Sequence, residues 1–269
     1  MFTKEIFIKR KIKIFAWKIF NKLENNNNAD FERNGEKTFI ENLFRYWKNC
    51  NNRRRVIFDV GANVGKYSEM LINYAQKFRL DFELHIFEPT KYCYSTLLKK
   101  FSNLDNVIIN NFGVSNIEHE TKIYYDEEGS GLASIYKREL DNLVLDKRDT
   151  IKLIRLEDYI AQKQISYIDF LKLDIEGHEL FALEGLGEYL NSDFIDFIQF
   201  EYGGCNVDSR TYLRDFYDIL GKKGFVIAKI MPNGLELKKY SPIMENFQYS
   251  NYIAISEKVF ESFKYDNIF

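Results

Sequence analysis

Apolar positions along this chain alternate between two rhythms. Short continuous apolar runs, rich in β-branched and aromatic residues, give way to stretches where apolar residues recur every three or four positions. The first kind reads as parallel strands buried on both faces, the second as amphipathic helices. VIFDV at 56–60 is the first strand, and Tyr67, Met70 and Leu71 mark the helix after it. FELHIFEP (82–89) is followed by Leu97, Leu98 and Phe101 at helical spacing, and NVIINNFGV (106–114) reads as a third strand. TKIYY (121–125) reads as an inserted strand. Residues 166–186 (SYIDFLKLDIEGHELFALEGL) make strand, acidic turn and helix, and 193–204 (DFIDFIQFEYGG) a further strand. Residues 210–224 (RTYLRDFYDILGKKG) form a helix stopped by glycine. FVIAKIMPNGLELKKY (225–240) turns at Pro-Asn-Gly as a hairpin, and NYIAIS (251–256) is a last strand. The alternation predicts an α/β domain over residues 51–269, mostly parallel with antiparallel closure near the end. There is no internal repeat.

Residues 1–50 read as a separate helical extension, interrupted by four asparagines at 25–28 suited to a loop. In its first helix Ile8, Ile12, Phe15, Ile19 and Leu23 share a stripe flanked by Lys4, Lys11, Lys18 and Lys22. Ile6, Ile14 and Trp17 lie off the stripe, so the sequence favours a helix that docks on the domain and caps its cleft; peripheral contact with anionic lipid is the alternative. Phe39, Phe44 and Trp47 recur at helical spacing as core residues, and the Arg53, Arg54, Arg55 run reads as a solvated charge cluster.

Composition narrows the function. With 269 residues and 45% hydrophobic content, a full core is available. A net charge of -2 gives no reason to expect a nucleic-acid partner. Cys50, Cys93 and Cys205 form no CxxC pair, which suits a reducing, cytoplasmic setting without zinc or disulfides. No uncharged apolar run is long enough to span a bilayer.

Four acids, Asp59, Glu88, Asp174 and Glu201, fall at or near the carboxyl ends of predicted strands, where α/β sheets bind ligands. Carboxylates beside a core are costly without partners, so a shared ligand explains them better than chance. A dinucleotide loop needs glycine at its first, third and sixth positions. Counting from Gly61, those positions hold Gly61, Asn63 and Lys66, which argues against a nicotinamide cofactor. S-adenosylmethionine is cationic and lacks phosphate; a glycine turn can hold its amino-acid end, and Glu88 can accept both ribose hydroxyls.

FDVGANVGKYS, IFEP, LKLDIEGHE and IQFEY, in that order, resemble the FkbM-type family of S-adenosylmethionine-dependent methyltransferases. The resemblance covers residues 56–202 and implies a Rossmann-like class I methyltransferase sheet with a final antiparallel strand. It further implies O-methylation of a hydroxyl on a glycan, glycolipid or secondary metabolite, as in polysaccharide biosynthesis. Asp59, Gly61, Asn63, Gly65 and Glu88 would contact the cofactor. The first 50 residues match nothing in the family.

Methyl transfer requires alignment of the acceptor oxygen and removal of its proton. Asp174, Glu176, His178 and Glu179 are candidate bases; His178 has the best intrinsic pKa, and a helix N-terminus tends to keep it neutral. Glu179 also suits a structural first-turn acid. A Mg²⁺ site on Asp174, Glu176 and Glu201 is a possible but less favoured route. Residues 127–135 (EEGSGLASI) are equally readable as lid or connector. A cofactor-binding module without turnover and a methyltransferase for macromolecules are the alternatives. The Asn/Asp-Pro-Pro-aromatic run common in nitrogen methylation is absent.

Overall fold

The structure, a computed structural model, describes residues 4–50, 53–138 and 143–263. Residues 51 and 52, where the sequence places the domain boundary, lie outside the described residues, as do residues 1–3. Helices α1 (Lys4–Leu23) and α2 (Glu36–Asn49) precede β1 (Arg55–Val60), α3 (Lys66–Phe78), β2 (Phe82–Phe87) and α4 (Lys91–Phe101). Next come β3 (Val107–Asn110), β4 (Gly113–Val114), β5 (His119–Tyr125), β6 (Lys147–Ile154) and α5 (Leu156–Lys163). The chain continues through β7 (Ile168–Leu173), α6 (Glu179–Glu184), β8 (Ile195–Tyr202), α7 (Cys205–Ser209) and α8 (Leu213–Lys222). It ends in β9 (Phe225–Met231), β10 (Gly234–Leu237), β11 (Ser250–Ser256) and α9 (Glu257–Phe263).

Eight strands form one sheet in the order β10-β9-β11-β8-β7-β1-β2-β3. Neighbours from β8 to β3 pair in parallel, while β11 runs antiparallel to both β8 and β9. This is the Rossmann-like sheet with a reversed strand near the C-terminus. Alternate residues feed two cores. Ile57, Phe170 and Phe197 face α2 and α3, whereas Phe58, Leu171 and Ile198 face α5 and α8. Burial on both faces is why the strands read as continuous apolar runs.

The structure departs from the sequence reading in four places. The run at 106–114 splits, because Gly113 and Val114 leave the main sheet and pair with β6 in a small sheet of order β4-β6-β5. Strand β6 and helix α5 were not legible; β6 is exposed along much of its length, and of its side chains only Ile151 and Leu153 are buried. Helix α2 is no extension: Phe39, Ile40, Leu43, Phe44 and Trp47 are buried in the same core as β1 and α3. The arginine run is not solvated either. Arg53 grips Asp169 at 2.7 and 2.9 Å, and buried Arg55 reaches the same carboxylate at 3.0 Å. Only Arg54 stays at the surface, beside Glu83.

Candidate active site

The carboxyl ends of β8, β7, β1 and β2 lie side by side, bringing Glu201, Asp174, Asp59 and Glu88 to one edge of the sheet. Beside them opens a cavity of about 300 Å³. Gly61, with φ 85°, forms part of its floor, and a Cβ there would lie 1.9 Å from the carbonyl oxygen of Asp174. Only glycine lets the turn after β1 press this close to the end of β7.

Asn63 is the hub of that turn. Its backbone N–H donates to Glu88 Oε2 at 2.9 Å and its Nδ2 donates to the Ser130 carbonyl at 3.0 Å. The segment at 127–135, readable as lid or connector, therefore folds against the cavity and contributes Gly129, Ser130 and Ile135 to its wall. Phe87, Val114, Ile151 and Leu153 supply an apolar slot between the two sheets.

Glu88 lines the cavity, but its capacity is smaller than expected. Thr90 donates to Oε1 through both N–H (2.9 Å) and Oγ1 (2.6 Å), while Asn63 occupies one lone pair of Oε2. What remains suits one ribose hydroxyl rather than two. Burial raises its pKa above the ordinary value. Two other expected cofactor contacts do not reach the cavity wall. Gly65 serves packing: a Cβ there would meet Leu97 at 2.6 Å. Asp59 is fully buried beneath the loop, where Oδ2 accepts from Ser68 Oγ at 2.5 Å and burial raises its pKa.

The acidic turn after β7 divides its carboxylates among distinct tasks. Asp174 lines the cavity, with 39% of its side chain exposed, and accepts from Lys172 Nζ at 2.8 Å. Glu176 pairs with Arg138; burial and the Asp174 charge push its pKa up to about 8. Glu201 is buried, and burial with the neighbouring Asp174, Glu176 and Glu179 charges holds its pKa well above normal. Glu179 is not available for catalysis. It is fully buried and accepts the N–H groups of Ile175 (2.9 Å) and Gly177 (3.0 Å), so it closes the turn, with burial raising its pKa to about 7.

His178 precedes α6 and lines the cavity, yet it is only 8% exposed. Tyr136 OH lies 2.8 Å from Nδ1, and Ser115 Oγ lies 2.9 Å from Nε2. Its ring stacks on Phe181 at 4.7 Å. Burial lowers its pKa to about 4, so the imidazole is neutral but a weaker base than its residue type suggests. His85, by contrast, is a buried strand residue held by Tyr159 and Glu83.

Glu176, Glu201 and Cys205 offer ligand atoms within 4.8 Å of one another. This set suits Mg²⁺ poorly, because a thiol is too soft for it and Arg138 already neutralises Glu176. S-adenosylmethionine fits the cavity better. The apolar slot suits adenine, Glu88 the ribose, and the acidic end a sulfonium and ammonium; beside the neutral His178, Lys91 is the one basic residue in the described lining.

The sequence reading missed Lys172, Glu36, Gln199 and Tyr67, which form a buried polar row behind the site. Lys172 left a signal: a lysine inside an otherwise buried strand needs an anionic partner.

The family model for the methyltransferase FkbM domain matches residues 59–227. No curated protein matches the sequence. Among solved structures, methyltransferase FkbM from Methylobacillus flagellatus KT is similar at 15% identity and TM-score 0.47, covering 80% of this chain and 48% of that one. This chain thus spans about half the length of that relative. A methyltransferase-like protein from Streptococcus mutans, in complex with SAH, gives 9% identity and TM-score 0.42 over 80% of this chain and 96% of that one. The fibrillarin pre-rRNA processing protein of Methanococcus jannaschii gives 12% identity and TM-score 0.41, over 77% and 68%. No substrate carries over from likenesses this distant. The family match spans more than half the chain, and its LDIEG turn and DVGANVG loop meet at one cavity. The chain belongs to the FkbM family of S-adenosylmethionine-dependent methyltransferases.

Proposed function

We propose that this protein moves the methyl group of S-adenosylmethionine onto a hydroxyl of a glycan, glycolipid or secondary metabolite. The observation that carries the reading is Asp174, an accessible carboxylate at the cavity edge, held in place from behind by a buried lysine. The bound cofactor supplies a methyl carbon already activated by a sulfonium. What this chain must do is align the acceptor oxygen and receive its proton. Asp174 receives it, being the most accessible group of the acidic turn; His178, neutral and braced by Tyr136 and Ser115, orients the acceptor beside it. A base of this kind has no purpose in a module that only binds the cofactor. The acid-lined cavity and net charge of -2 disfavour a nucleic-acid acceptor. Its three cysteines are free, which accords with a cytoplasmic setting.

Transfer of label from methyl-radiolabelled S-adenosylmethionine into fractionated cell extracts tests this. Label should enter a glycan, lipid or small-molecule metabolite fraction as an alkali-stable O-methyl ether. Label in RNA or protein, release as methylamine, or no transfer to any fraction would overturn the reading.

A further inference from the structure

Residues 6–19 of α1 are exposed without exception, so the helix does not lay its stripe on the domain as the sequence favours. Ile8, Ile12, Phe15, Ile19 and Leu23 remain between 44% and 71% exposed. An apolar stripe of this length on a soluble surface marks a contact site. Between residues 6 and 23 the chain carries Lys9, Arg10, Lys11, Lys13, Lys18 and Lys22 and no acid. At 100° per residue, Lys11, Lys18 and Lys22 flank the stripe on one side, with Lys9 and Lys13 on the other.

The base of the helix is firmly rooted. Glu24 pairs with Lys238 at 3.0 Å, and Asn25 Nδ2 donates to the carbonyls of Asn34 (2.6 Å) and Ile230 (3.1 Å). Asn26 Oδ1 accepts from Lys229 and Ser250, and Asn27 N–H donates to the Tyr249 carbonyl. The four asparagines are thus a clamp rather than a loose loop. Their attachment lies on the sheet edge that carries the active site, because Ser250 pairs with Tyr202 and Asn251 with Glu201.

We propose that α1 docks in the plane of an anionic lipid surface, with its stripe among the acyl chains and its lysines at the headgroups. Charge selects this occupant. A second copy would bring another uniformly basic helix and repel the first, whereas acidic headgroups attract it. Long lysine side chains reach outward from a buried stripe without losing water. No helix among the described residues is long and apolar enough to cross a membrane, so the contact is peripheral. Rooted on the site edge, α1 would hold the cavity beside the lipid surface. The inference stands on α1 alone and does not depend on the acceptor assigned above.

Co-sedimentation of the full chain with phosphatidylcholine vesicles, with and without phosphatidylserine, provides the test. Binding should require phosphatidylserine and weaken roughly tenfold or more in high salt. Phe15→Glu and the joint change Lys9→Glu, Lys11→Glu should each abolish it while melting temperature and S-adenosylmethionine binding stay unchanged, since these side chains touch no core. Absence of binding at low salt, or binding that survives both variants, overturns the proposal. So does a concentration-dependent dimer that Phe15→Glu dissociates, since a second copy would then be the occupant.

Discussion

Lys172 holds its ammonium 2.8 Å from Asp174 Oδ2, from a strand position directly opposite Asp59. Its other neighbour in register is Gln199, which donates to Glu36 at 2.6 Å and accepts from Tyr67 OH at 2.7 Å. One buried row thus joins α2 to the acidic turn. Burial alone would lower the pKa of Lys172, but Asp174, Asp59 and Glu36 reverse this and raise it, so the ammonium stays charged.

Lys172→Met should therefore cost about 3–5 kcal/mol of stability, the range for a buried charge pair broken on one side. Urea denaturation measures it. A loss below about 1 kcal/mol would show that the buried Asp59 simply takes up a proton in its absence.

Catalysis should separate Asp174 from cofactor binding. Asp174→Asn is expected to lower kcat by about 10²–10⁴-fold while leaving the Kd for S-adenosylmethionine nearly unchanged. His178→Phe should mainly raise KM for the acceptor. If His178→Phe instead loses as much kcat as Asp174→Asn does, the imidazole is the base and the assignment reverses.

Glu88 retains one lone pair of Oε2 facing the cavity, enough for one charge-assisted hydrogen bond. Calorimetry should find Glu88→Gln weaker for S-adenosylmethionine by about 1.5–3 kcal/mol, and no heat for wild type with NAD. Wild-type affinity in the variant would remove the ribose assignment.

His178 also predicts a pH effect with a definite sign. Its pKa is about 4 in the fold against 6.5 in the unfolded chain, so between those values the unfolded chain binds more protons. The contribution is complete above pH 6.5 and is lost as pH falls through about 4. Wild type should therefore lose up to about 3 kcal/mol relative to His178→Phe between pH 7 and 4. An advantage that is flat with pH would mean that the ring is not held neutral. Glu176 and Glu179, raised to about 8 and 7, act in the opposite sense, losing stability as pH rises, and cancel in this comparison.

At the far edge of the sheet, Asp169 receives both Arg53 and Arg55 while fully buried. Asp169→Asn should cost about 3–5 kcal/mol with no change in kcat, because the clamp lies at the amino ends of β1 and β7, away from the cavity. Equal loss of activity in a still-folded variant would contradict that separation.

The sequence by itself determined the sheet, the order of its acids and the turn glycine at Gly61. Each follows from local physics: strands buried on both faces must be apolar, and a strand-end carboxylate must have a partner. Which partner each acid meets was decided only by tertiary structure. Asp59, Glu88, Asp174, Glu179 and Glu201 look alike along the chain, yet one lies under the loop, one on its hub, one at the cavity edge, one inside a turn and one buried beside Glu176 and Cys205. The difference lies in what packs against each: Lys172 from the neighbouring strand position, Asn63 from across the loop, backbone N–H groups for Glu179. The same holds for α1 and the asparagine clamp. An amphipathic stripe states that a helix has a face to cover, but only the placement of its root and its exposed length show that this domain does not cover it.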